Sequence, residues 1–493
     1  MVKLFATTTV LLLCMTFLFA DQSSERNYHQ ELEKIRGLVG RIEERKLENG
    51  IKLAILRLEH APTFTYVVGV RAGSVDEPKN QKGIAHFLEH LAFKGTKTIG
   101  TKDFSREEPL LKRLWELEKK LVQNKLSKTE RDEMKNIRAQ LRELWITEEL
   151  QARLADLGGL DINASTSADF TKYYGRYPSE SFNEVMSIEL SRLLEVVPRQ
   201  FHEERQVILQ ERSMRVENDP VGRMYERFIE LAFPGEPYRY PVIGYARDLL
   251  RLTPYDLLRF HQDHYVGDNV AVSVVGFVTK EDEEHLKTLF ARIPANDRKT
   301  LNFTPKKRFS RGIHVSGEFG TKAIMVGFKK DVFPSLEDVC ASLASRALFD
   351  SKFGLVTKKI VEEDRLVSGV SSAEVPGVRF PNVILIYLPT LIDADTNVVV
   401  KSFWKHVADG IFMLKDEGLI DRVKGMIVAD VARVLENRMS LADWMVESLL
   451  LYGSTRQMID MVEKLLALEA REVFRCAEEI FKKENSVVLI SNK

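Results

Sequence analysis

Residues 82–94 read as a helix that is apolar nearly all round, with Ile84, Phe87, Leu88, Leu91 and Phe93 spread over its surface, yet it carries His86, Glu89 and His90. A helix apolar on every side is a buried one. His86 and His90 stand four apart, so they point the same way one turn apart, and Glu89 lies on nearly the same face. Two imidazoles and a carboxylate inside a protein all need partners. A pair of merely structural histidines leaves that need unmet, whereas one metal ion meets it at once. Imidazoles so placed can take two corners of a zinc tetrahedron. The order His-x-x-Glu-His is the inverted form of the commoner zinc-protease motif, and it puts Glu89 within reach of a water beside the metal rather than of the metal.

A catalytic zinc normally takes three protein ligands and keeps one position for water. The third ligand must come from elsewhere in the chain. The helical stretch Glu203–Glu211 offers Glu204 and Glu211, seven apart and on one face. Spacing alone does not choose between them.

At 493 residues the chain is too long for one core and should divide into two or more domains. Lys+Arg and Asp+Glu both number 72, and this balance removes the electrostatic argument for a nucleic-acid partner. At the N-terminus, Lys3 precedes an uncharged run from Leu4 to Ala20, and Leu18-Phe19-Ala20 leads into polar Asp21-Gln22-Ser23-Ser24. This predicts a signal peptide over 1–20, cleaved after Ala20, and export to the periplasm or beyond, with an uncleaved anchor as the competing reading. No later segment is apolar for long enough to span a bilayer. Cys14 falls in the leader, and Cys340 and Cys476 read as separate buried thiols rather than a disulfide.

Along the chain, 44–57 and 62–71 read as two strands, followed by the His86 helix. Between 105 and 150, Leu110, Leu114, Leu117 and Leu121 face Met134, Ile137, Leu141 and Leu144. With the capping-box sequence Ser127-Lys128-Thr129-Glu130 between them, these predict a charged helical hairpin closed along an apolar seam. After a Pro/Asn/Lys/Arg-rich linker near 295–310, the strand Ala323–Phe328 and a helix from Ser335 repeat the order of Tyr66–Arg71 and the His86 helix. The repetition suggests two related halves. The second has only His314 and His406 and no histidine pair. His261 and His264 have ligand-like spacing but too few companions for a second metal. Nothing reads as a phosphate-binding glycine loop or an activated Ser or Cys nucleophile.

Gly83–Leu91 together with Arg205–Glu211 resembles the pitrilysin/insulinase family of zinc peptidases, and most nearly its mitochondrial processing peptidase-like branch. Gly159–Thr166 with Tyr173-Tyr174, and Tyr265–Asn269 leading into Ala271–Gly276, extend the likeness. The resemblance implies an α+β fold of two related domains, each a mainly antiparallel sheet packed with helices. Their expected bounds are 21–300, with the helical insertion at about 101–153, and 301–493 without a metal site. It implies one Zn2+ per chain held by His86, His90 and Glu211, with Glu89 as general base and Glu204 as a carboxylate that orients the site. Asn163, Ala164, Ser165 and Thr166 would form the edge strand to which substrate backbone adds. The implied activity is that of a zinc metalloendopeptidase enclosing peptides or unfolded segments between two halves. The alternative is a non-catalytic metal-binding scaffold or chamber subunit.

One departure bears on assembly. Members of the family place an Arg and a Tyr, seven apart, near the metal from the second half. Here the matching stretch has Val361 and Ser368, and no Tyr follows as far as Phe380. This predicts a homo- or heterodimer in which a related chain supplies that pair.

Overall fold

The computed structural model of the chain describes residues 28–295, 301 and 303–493. The leader expected over 1–20 lies outside these residues, as do 296–300 and 302 of the expected linker. Among the described residues no helix is long and apolar enough to cross a membrane.

Two runs rich in β-branched residues become the centres of two sheets. The first sheet contains β1 (Glu43–Lys46), β2 (Lys52–Arg57), β3 (Thr63–Val70), β4 (Leu160–Thr166), β5 (Thr171–Pro178) and β6 (Val270–Gly276), in the order β1-β2-β6-β3-β5-β4. The second contains β7 (Ile313–Gly317), β8 (Ala323–Lys330), β9 (Ser371–Val375), β10 (Asn382–Pro389) and β11 (Ser486–Ser491), in the order β7-β11-β8-β10-β9. Leaving out β1, the two orders match strand for strand. Each has one parallel pair, β2 with β6 and β7 with β11, and the other pairs are antiparallel. The halves are therefore related, within an α+β architecture.

The single strand expected over 44–57 is instead a hairpin of β1 and β2. Asn49-Gly50 is a strong turn signal: Gly50 has φ +93°, and the Leu47 amide donates to the Ile51 carbonyl at 2.8 Å. The expected insertion is present as helices Phe104–Val122 and Lys128–Leu144, the second begun by the Ser127/Glu130 capping box. Leu111, Leu114, Leu117, Met134, Ile137 and Leu141 close its seam, so Leu111 rather than Leu110 faces inward most fully. Buried Arg199 ties the insertion to the body, holding Glu107 at 2.7 and 2.9 Å and donating to the carbonyls of Thr96 and Ile99.

Each sheet is covered on one face by helices of its own half and on the other by a helix from the opposite half. Tyr66, Val68 and Val70 of β3 face a core that includes Ile84, Phe87 and Leu88. Their neighbour Val67 faces Ala442, Met445, Val446 and Leu449 of the helix Arg438–Tyr452. In the second half, Met325, Leu385 and Leu489 face Met224, Phe228 and Ile229 of the helix Pro220–Ala232. The first described helix, Tyr28–Val39, also joins the second half, packing its Leu32, Ile35 and Val39 into that core. Three helices are thus exchanged between the halves, and neither sheet is closed without the other.

Two glycines make the exchanged helices fit. A Cβ on Gly69 of β3 would lie 2.4 Å from Val446 Cγ1, and one on Gly327 of β8 would lie 2.3 Å from the Phe228 ring. Polar contacts fix the same interface. Lys172 of β5 reaches Asp443 at 2.5 Å and Glu447 at 2.6 Å, and Arg379 forms a two-pronged pair with Asp76 at 2.7 and 3.1 Å.

Cys340 and Cys476 form a disulfide, which corrects the expectation of separate thiols. They are 136 positions apart, but the helices Leu336–Phe349 and Ala470–Ile480 pack as neighbours and bring their Cα atoms to 6.5 Å, within bridging range.

The close approach at the two glycines predicts that Gly69→Ala and Gly327→Ala each destabilise the protein by about 1–3 kcal/mol, the usual cost of overpacking. Thermal melts of the two variants against the parent check this. An unchanged melting temperature in both would refute the account of the exchanged helices.

Candidate metal centre

The helix carrying the histidines runs from Ile84 to Leu91. Its N-terminal amides have no side-chain cap of their own and are met by Glu77, whose carboxylate accepts from Gly83 N at 2.9 Å and Ala85 N at 3.0 Å. Burial raises the Glu77 carboxyl, while Lys82 and those two amides favour its charged form. The buried carboxylate thus answers both the orphan amides and the positive end of the helix dipole. Phe87 and Leu88 pack into the core, which turns His86, Glu89 and His90 toward one side.

Helix Phe201–Arg212 lies against this face and presents both acidic candidates. Glu211 Oε2 is 3.7 Å from His86 Nε2 and 3.6 Å from His90 Nε2. Glu204 stands one step aside, with Oε2 3.3 Å from His90 Nδ1 and Oε1 2.9 Å from Lys94 Nζ. A proton on His90 Nδ1 toward Glu204 leaves the Nε2 lone pair facing Glu211. His86, His90 and Glu211 are the one His/Cys/Asp/Glu group among the described residues whose ligand atoms all lie within 4.8 Å of one another.

These three residues fit a zinc ion. Two metal–ligand bonds of about 2.0–2.1 Å at a tetrahedral angle separate their donor atoms by about 3.3–3.4 Å, close to the spacings above. The electrostatics agree at His86 and run the other way at His90. Burial, and then the neighbouring His90, push the His86 imidazole down to about 3, so it is held in the neutral form that ligates a metal. Burial also works against a charged His90, but the Glu204 hydrogen bond and the charges of Glu89 and Glu211 outweigh it and raise its proton affinity.

Glu89 points past the imidazoles to β4. Its Oε2 accepts a 2.6 Å hydrogen bond from the Thr166 hydroxyl. Burial raises the Glu89 carboxyl, and the Thr166 bond opposes that shift. Asn163, Ala164, Ser165 and Thr166 lie in β4 at the end of the sheet order, paired on one side with β5 through Asn163–Tyr174, Ala164–Tyr173, Ser165–Lys172 and Thr166–Thr171. The free side of β4 is thus a backbone edge beside Glu89. Val361 is half-buried and Ser368 is exposed, its amide bound to the Pro389 carbonyl at 2.9 Å. His261 Nε2 sits 2.6 Å from the Leu193 carbonyl, a local structural contact.

Three contacts were not foreseen from the sequence. Arg215 holds the second oxygen of Glu211 at 2.8 Å, Lys94 holds Glu204, and Thr166 holds Glu89. The first had a visible signal, because Arg215 follows Glu211 by four in a helical stretch. The other two join separate elements and had none.

Two family profiles match the chain: Insulinase (Peptidase family M16) over residues 52–108, and Peptidase M16 inactive domain over residues 251–406. Glu211 falls between the matched segments. Over 466 residues the chain is 24% identical to the zinc protease PqqE of Helicobacter pylori, covering 90% of this chain and 91% of that protein. It is 27% identical over 242 residues to the probable mitochondrial-processing peptidase subunit beta of Schizosaccharomyces pombe, covering 48% of this chain and 42% of that protein. Its fold is similar to that of a protease from Helicobacter pylori, with a TM-score of 0.75 at 23% identity over 92% of this chain and 99% of that one. It is also similar to the periplasmic protease PqqL from Escherichia coli, with a TM-score of 0.65 at 16% identity over 92% of this chain and 48% of that one.

If the three residues hold zinc, a free-zinc concentration of 100 times Kd should stabilise the native chain by about 2.7 kcal/mol. Calorimetry of metal-stripped protein, with and without zinc, should show the upward shift in the parent and none in His86→Ala. Equal shifts in both would place the ion elsewhere.

Proposed function

Because the chain belongs to the insulinase (M16) family of peptidases, we propose that it is a zinc-dependent endopeptidase acting on peptides or unfolded segments. The observation that carries this reading is the meeting of His86, His90 and Glu211 within 4.8 Å, with Glu89 beside them and tied to the edge strand. His86, His90 and Glu211 would hold one Zn2+ per chain, and Glu204 would keep the His90 ring oriented. When bound there, the ion supplies Lewis-acid polarisation of the scissile carbonyl and acidifies attacking water.

The chain's own residues do the rest. Glu89 is the general base, taking the proton from the attacking water and passing it to the departing amine. Its burial raises the carboxyl, and the Thr166 hydrogen bond opposes that shift and aims the group. The unpaired side of β4 at Asn163–Thr166 receives substrate backbone as an added strand, which favours extended segments over folded ones.

Where the family's Arg and Tyr are expected, Val361 and Ser368 offer neither a guanidinium nor a phenol. The second part of the proposal is therefore a dimer with a related chain that supplies the pair; an identical copy carries the same Val361 and Ser368, so of the homo- and heterodimer the latter fits. Export to the periplasm or beyond is the matching location. The Cys340–Cys476 disulfide supports it, since such bonds persist in oxidising compartments.

Glu89→Gln should keep its zinc by metal analysis yet lose about 10²–10⁴-fold in peptide cleavage, the usual worth of a positioned base. Full activity in that variant would sink the mechanism, and an inactive parent in every assembly state would favour the chamber-subunit alternative. Thr166→Val removes the bond that favours ionised Glu89, so the acidic limb of the kcat/KM–pH profile should move to higher pH. A limb that stays put, or moves down, would remove Thr166 from that role. Full peptide cleavage by the isolated monomer would overturn the need for a partner chain.

A further inference from the structure

The helix Arg438–Tyr452 covers the first sheet with one face, and its other face borders a partly open cavity of about 190 Å³ lined also by β9, β10 and the helices Leu336–Phe349, Glu417–Glu436 and Gln457–Ala467. An engineered apolar cavity of about 150 Å³ is enough to take up benzene. We propose that this cavity, on the reverse side of the sheet from the histidine helix, binds a small amphiphilic organic cation, an ammonium carried on an aryl or alkyl body.

Two independent features select that chemistry. The walls are mostly apolar and include the rings of Phe333, Trp444 and Tyr452, with Phe333 and Tyr452 meeting edge to face at 5.2 Å; Lys464 Nζ already lies 5.0 Å from the Phe333 centroid, so Trp444 and Tyr452 are the rings left to a ligand. Aromatic faces attract a cation that has been taken out of water.

The charged groups in the same walls are dominated by carboxylates. Asp338, Glu374 and Glu447 line the cavity, and among the described lining residues Arg346 is the one cation. Arg346 is itself held between Asp350 and Asp430, each at 2.8 Å. Behind the wall, Lys330 stands between Asp338 and Glu374, and Lys172 between Asp443 and Glu447. In both sets one ammonium faces two carboxylates, so each carries a net charge of −1 when ionised. Burial lowers the proton affinity of the two lysines, but the paired carboxylates outweigh it and hold both charged. A buried excess of negative charge calls for a cation and disfavours an anion.

The test is isothermal titration of the full chain at pH 8, where Asp338, raised by burial, is ionised. The probes are 4-phenylbutylamine and its neutral counterpart 4-phenylbutan-1-ol. The amine should bind at 1:1 stoichiometry and at least about tenfold more tightly than the alcohol, the scale of a desolvated cation–aromatic contact. Ser448→Leu and Ala373→Leu fill the cavity from opposite walls and should each abolish that heat. Equal affinity for amine and alcohol, no binding of the amine, or undiminished binding in a folded filled variant would each overturn the proposal. If neither filled variant folds, the comparison of the two probes on the native chain decides alone.

Discussion

Neither sheet of this protein can bury both faces with the helices of its own half. The histidine helix and its neighbours cover one face of the first sheet, and the other is left to Arg438–Tyr452, a helix more than 150 positions beyond β6. The second sheet depends in the same way on Pro220–Ala232. Apolar strands buried on both faces read as continuous hydrophobic runs, and β3, β6, β8 and β11 have that character. The exchange explains why glycine occurs at Gly69 and Gly327, two points where a crossing helix comes closest. It also explains the buried ions. Lys172 with Asp443 and Glu447, and Arg379 with Asp76, join residues from different halves where water has been expelled. Removing one partner of such a pair leaves a buried charge, at a cost of about 3–5 kcal/mol.

The candidate metal centre inherits its rigidity from this arrangement. Three elements meet there: the helix Ile84–Leu91, the helix Phe201–Arg212 and the edge strand β4. His90, Glu211 and Glu89 each have a second contact that fixes them, with Glu204, Arg215 and Thr166 respectively, whereas His86 Nδ1 is buried without a hydrogen-bond partner among the described residues. Such outer contacts set the tautomer and direction of the inner groups, and metal sites rely on them as much as on the ligands. Burial acts in opposite senses on neighbouring groups. It suppresses the charge of His86, as a metal ligand requires, and raises the proton affinity of Glu89, as a base requires.

Much of this was legible in the chain read residue by residue. Four-residue spacing placed His86 and His90 together, seven-residue spacing put Glu204 and Glu211 on one face, and alternating leucines marked out the hairpin insertion. The repeated strand-then-helix order at Tyr66 and Ala323 pointed to two related halves, and the matching strand orders bear that out. The miss at 44–57 was a local error, because Asn49-Gly50 is a turn signal that was passed over in favour of one long strand. The miss at Cys340 and Cys476 was of another kind. Nothing in the context of either residue shows that their helices pack side by side.

Periodicity reports what a residue does with neighbours three, four or two positions away, and that short-range geometry is written into the order of the amino acids. It was sufficient to pick out the candidate metal-binding face of the histidine helix and the seam of the insertion. It could not say that Glu211 stands beside both imidazoles while Glu204 stands behind one of them, because that depends on how a second helix docks across the first. Nor could it show that a helix from one half closes the sheet of the other, or that a mostly apolar cavity with three carboxylates in its walls lies behind it. Those features arise from burying apolar surface between segments far apart in the chain, and packing is settled for the whole molecule at once.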